Sequence, residues 1–121
     1  MSIVKEYYLN EFKKVTIVKT KDDSIIVLVD LYPCNAEIEI HSSSIYVVNM
    51  DNIEILVMPL KLEDTQYFNK AEVEILCNNS KKNCQYIGLR LYTSSQILNI
   101  SEYELFNLLD KIISNFEKCL K

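Results

Sequence analysis

The stretch AEVEILCNNSKKNCQYIGLRLY, running from Ala71 to Tyr92, decides the fold class. Ala71, Val73, Ile75 and Cys77 alternate with Glu72, Glu74 and Leu76. Period two of this kind marks a strand with one face on a core and the other in water. Asn78 to Asn83 is a polar loop of hairpin length, and Cys84 to Tyr92 returns as a second strand. Strict alternation there places Tyr86, Gly88, Arg90 and Tyr92 on one face, with Ile87, Leu89 and Leu91 on the other.

Upstream, the same period recurs. Val15 to Thr20 is a β-branched run, Lys21-Asp22-Asp23-Ser24 breaks it, and Ile25 to Tyr32 is almost continuously apolar. The two runs read as a hairpin, with the Asp pair tolerating the turn and the second strand buried on both faces. Pro33 interrupts the ladder, after which Ala36, Ile38 and Ile40 alternate with Glu37, Glu39 and His41. Ile45 to Val48 and Ile53 to Met58 follow as strands, and Leu60 to Asn69 as a connection or one short helical turn. Ser2 to Phe12 reads as a short helix or irregular arm, from the stripe Ile3, Tyr7, Tyr8 and Phe12, although Tyr7 and Leu9 also suit a strand opening.

Downstream, Ser101-Glu102-Tyr103-Glu104 is a capping box that opens a helix. Leu105, Leu108, Leu109, Ile112, Ile113, Phe116 and Leu120 follow at helical spacing. About 20 residues of helix would reach ~30 Å, and the apolar side chains would cover an arc of roughly 160°. The expected fold is therefore α+β: a curved, meander-like antiparallel sheet of about seven short strands packed on one long C-terminal amphipathic helix. Residues 1–121 are expected to form a single domain.

Composition narrows the chemistry. The 121 residues carry a net charge of −4, with 49% hydrophobic and 25% charged residues, the balance of a globular chain. The longest aliphatic run, Ile25 to Val29, is far short of the ~20 residues of a membrane helix. No secretory signal is visible behind Met1, so a cytoplasmic protein is expected. Few Gly, Pro, Ala and Arg against many Ile, Asn, Lys and Tyr point to an A+T-rich gene, such as those of viruses, phages or archaea. Gly88 is the only glycine, so no P-loop, dinucleotide fingerprint or Gly-x-Ser-x-Gly elbow can be assembled. His41 is the only histidine, which removes His-rich metal sites, and its Ser42–Ser44 neighbours read as a turn. Cys34, Cys77, Cys84 and Cys119 lack zinc-ligand spacing and are expected as reduced, small hydrophobes. A Cys77–Cys84 bridge across the hairpin is sterically conceivable but is not the expected state. No metal or cofactor is expected.

Three function classes remain. An arc of ~160° exceeds the ≳100° stripe that one packing partner needs. The first reading is thus a non-enzymatic module that binds protein, with a homodimer as the commonest case, through Phe106, Leu109, Ile113, Phe116 and Leu120. The alternative is a single-stranded DNA or RNA binder using Lys13, Lys14, Lys19, Lys81, Lys82, Tyr86, Arg90 and Tyr92, since aromatics flanked by cations make a stacking platform. Net acidity weighs against it. The third is a small carboxylate-dependent hydrolase using Glu37, Glu39, Glu72 and Glu74, which are instead expected as solvated residues on outward faces.

In its order of sheet followed by one amphipathic helix, the region Cys84 to Phe116, with Ile100-Ser101-Glu102 at the junction, resembles single-strand-binding proteins of the Whirly and transcriptional-coactivator kind. The resemblance implies the fold alone. No diagnostic motif of those proteins occurs here, and no site residue carries over.

Overall fold

The computed structural model describes residues 2–8, 14–35, 45–50, 53–63, 66–78 and 83–113, with the backbone alone at 32–35, 45–50 and 113. The described residues form seven strands: β1 (Ser2–Tyr8), β2 (Lys14–Lys19), β3 (Ile25–Asn35), β4 (Ile45–Met50), β5 (Ile53–Leu60), β6 (Phe68–Asn78) and β7 (Cys84–Thr93). A 3₁₀ turn (Ser95–Asn99) and helix α1 (Glu102–Ile113) follow. The class is α+β, as the periodicity predicts.

All strands join one antiparallel sheet in the order β1-β2-β3-β7-β6-β5-β4. This corrects the single meander. Two meanders, β1–β3 and β4–β7, are joined where β7 returns to pair with β3, so the β3–β4 connection leads from the sheet interior to its far edge. The pairing sets buried side chains of two interior strands against each other, Val27 opposite Leu91 and Val29 opposite Leu89. All four side chains are buried.

The N-terminal segment is also corrected, from helix or arm to strand. β2 is deeply buried at Val15 and Ile17, and its outward N–H and C=O groups need partners. Ser2 to Tyr8 supplies them, pairing from Ser2↔Lys19 to Tyr8↔Lys14. The strand expected over residues 36–41 lies outside the described residues.

Local chemistry holds where it was read. The β2–β3 turn closes through Thr20 N–H to the Ser24 carbonyl at 2.8 Å, and Asp23 takes φ 65°. A three-residue loop ending in a left-handed residue needs that conformation, which Asp tolerates. Thr20 hydroxyl and Ser24 N–H both donate to Asp22 Oδ1, and chiefly the first bond holds that carboxyl below its ordinary value. Pro59 sits in β5 beyond Ile45↔Val57, the last β4 pair among the described residues, and pairs with Glu72 of β6.

Helix α1 packs on one face of the sheet. Leu105 and Leu109 enter a core built from Val15, Ile17, Val27, Val29, Ala71, Val73, Ile75, Leu89 and Leu91. Glu104 N–H donates to Ser101 Oγ at 3.1 Å, half of the expected capping box. The Glu104 carboxylate instead accepts from Tyr67 hydroxyl at 3.4 Å. Residues 114–121, expected to continue the helix, lie outside the described residues.

Candidate functional site

The face opposite α1 carries a row of cross-strand pairs between β6 and β7: Lys70↔Tyr92, Glu72↔Arg90 and Glu74↔Gly88. Glu72 was expected in water and is instead 5% exposed. Lys70 Nζ lies 3.8 Å from Glu72 Oε2 and 5.1 Å above the Tyr92 ring. Tyr92 hydroxyl donates to Glu72, and its pKa is raised above 10.0, first by burial and then by that carboxylate. Glu74 leans across β7: its Oε2 stands 4.0 Å from where a Cβ on Gly88 would be, and its Oε1 is 3.0 Å from Arg90 Nε. The Arg90–Glu74 contact is an ion pair, not an aligned hydrogen bond. Within this row Lys70 pairs with Glu72 and Arg90 with Glu74, and Asp30 of β3 stands opposite Gly88 on the same face.

Those pairings bear on the cationic candidates. Lys14 lies 3.9 Å from Glu6 and Lys19 lies 3.3 Å from Asp23, so each described cation among them has a carboxylate neighbour. Tyr86 and Tyr92 do not share a face. β7 pairs Gly88 with Glu74 but Tyr86 with Ile75, leaving Ile87 as an extra residue. A bulge of one residue inverts the alternation beyond it. Tyr86 therefore packs on the core side, while Tyr92 stands on the face of the charged pairs. Lys13, Lys81 and Lys82 lie outside the described residues, as do Glu37 and Glu39.

Of the helix candidates, Leu109 has no exposed surface and belongs to the core, which removes it from any interface. Phe106 is half-buried, its ring edge-on to Tyr7 of β1 with centroids 5.8 Å apart. For Ile113 only the backbone is described, and Phe116 and Leu120 lie outside.

Large exposed apolar side chains include Tyr103 of α1, Ile53 of β5 and three residues of β1. Ile3 and Tyr8 are each 63% exposed and Val4 39%, all on β1. Among the described residues no strand pairs with the outer side of β1. The sequence signal was present in the strand-forming pairs Ile3-Val4 and Tyr7-Tyr8, but a helical spacing overlaid it.

Among the described residues, no group of three or more His, Cys, Asp or Glu is placed to hold a metal ion. No described helix is long and apolar enough to cross a membrane. Compared with protein-family models, curated proteins and solved structures, the chain matches none.

Proposed function

We propose that this chain is a non-enzymatic protein-binding module that acts by strand pairing along β1, with a second copy of itself as the first partner. The observation that carries the reading is a strand at the end of the sheet whose outer side pairs with nothing among the described residues, with Ile3, Val4 and Tyr8 exposed. Edge strands normally carry charge, proline or a cover that blocks a further strand. Here the charges are Lys5 and Glu6, and Glu6 already faces Lys14. A strand added to such an edge gains main-chain hydrogen bonds and apolar contacts together. Phe106 packs on Tyr7 on the α1 side of the sheet, whereas Ile3 and Tyr8 pair with Val18 and Lys14 on the other face.

The test is light scattering over a dilution series, with wild type beside the double variant Ile3→Lys/Val4→Lys. The wild type should have a dimer's mass that falls on dilution, and the variant should be a monomer with an unchanged circular dichroism spectrum. A monomeric wild type, or a dimer indifferent to both lysines, would overturn the reading. So would retention on a single-stranded oligonucleotide that weakens steeply with salt, which belongs to the nucleic-acid alternative.

A further inference from the structure

Glu54, Cys77 and Cys84 stand side by side on three adjacent strands. Glu54 of β5 faces Cys77 of β6, and Cys77 faces Cys84 of β7. The two cysteines are joined as a disulfide, with Cα atoms 4.2 Å apart, where reduced thiols were expected. Directly opposed residues of an antiparallel ladder project to one face, so the Glu54 side chain borders this bridge. All three residues are buried, Glu54 at 7% exposure, and Glu54 Oε2 has no hydrogen-bond partner.

An orphaned, buried carboxylate oxygen is costly, and native folds keep few of them. The disulfide cannot relieve it, because a bridged sulfur has no hydrogen to donate. A thiol does. We propose that Cys77–Cys84 is a reversible thiol–disulfide couple whose reduced form is favoured by a hydrogen bond from the Cys77 thiol to Glu54.

The co-reactant is a dithiol. Its first thiolate attacks Sγ of Cys84, the less deeply buried of the two residues, and the Cys77–Cys84 bond breaks with its electron pair on Cys77 Sγ. Cys77 takes up a proton and donates it toward Glu54. The second thiolate of the reductant then attacks the mixed disulfide, releasing Cys84, which is protonated in turn. Two electrons and two protons pass from the dithiol to the cysteine pair, and the reductant leaves as its own disulfide. The bridge spans a sequence separation of 7 at the root of the β6–β7 hairpin, so reduction removes a covalent link there while the Asn78 N–H to Asn83 carbonyl bond still closes the hairpin.

The folded protein is equilibrated in buffers of reduced and oxidised dithiothreitol, quenched by alkylation, and read by the mass of the peptides bearing Cys77 and Cys84. The wild type should be reduced while its circular dichroism stays native. Glu54→Leu, which removes the acceptor, should move the equilibrium roughly tenfold toward the disulfide, the worth of one hydrogen bond to a charged group. Glu54→Gln, a weaker acceptor of the same shape, should move it several-fold in that direction, and decides the matter if the Leu variant does not fold. Reduction only on unfolding, or an equilibrium unchanged or shifted toward the dithiol in the variants, would overturn the proposal.

Discussion

Tyr92 and Glu72 show how one neighbour alters a side chain's behaviour. Burial disfavours the phenolate, and a carboxylate accepting the hydroxyl disfavours it further, so the folded chain holds this proton more tightly than the unfolded one. The stability this lends is complete below the ordinary value of 10.0 and is lost as pH rises through the raised one. Tyr92→Phe should therefore lose less stability than wild type on going to alkaline pH, measured by urea unfolding at each pH. Glu72→Gln leaves burial as the main cause, so the phenol should move only part of the way back, read by alkaline absorbance titration with the Tyr92→Phe curve subtracted. An unchanged titration in Glu72→Gln would sink this assignment. None of this was legible in the sequence, where Glu72 looks like any outward residue of a half-solvated strand. Its burial depends on Lys70, on the Tyr92 ring and on Arg90 across the ladder.

Elements follow local chemistry until a partner strand intervenes. The start of α1 is local: Ser101 Oγ accepts the Glu104 N–H, as the sequence predicts. Ser101→Ala should cost about 1 kcal/mol by urea or thermal unfolding. A loss near zero would mean that tertiary packing alone holds this end. In β7, by contrast, the extra residue Ile87 sends Tyr86 to the core side, against the alternation of Gly88, Arg90 and Tyr92. A bulge is a mismatch between two strands, and one strand's sequence does not contain it. β1 makes the same point. Its side chains fit helix or strand, and the unpaired edge of the buried β2 decided between them.

At the scale of the molecule, the two meanders meet at the β3–β7 ladder, and Leu105 and Leu109 of α1 join the core the sheet builds. Leu109 has no exposed surface, so truncation leaves a cavity as well as losing transfer energy. Leu109→Ala should cost about 2–5 kcal/mol in urea unfolding without changing the dimer interface proposed at β1. A dimer weakened by this change while the fold stays intact would place the interface on the helix after all. The wide apolar arc of α1 was an argument for a second subunit. The described turns turn part of it to the core and set Phe106 against Tyr7.

The sequence by itself determined which segments alternate, where the β2–β3 turn falls, where the helix begins and that the class is α+β, because each depends on residues within a few positions of one another. Tertiary structure alone decided the strand order, the edge role of β1, the bulge at Ile87, the burial of Glu72 and the meeting of Glu54 with the Cys77–Cys84 bridge. Each of these is a relation between strands, fixed by ladder register and by the demand that buried backbone groups be paired.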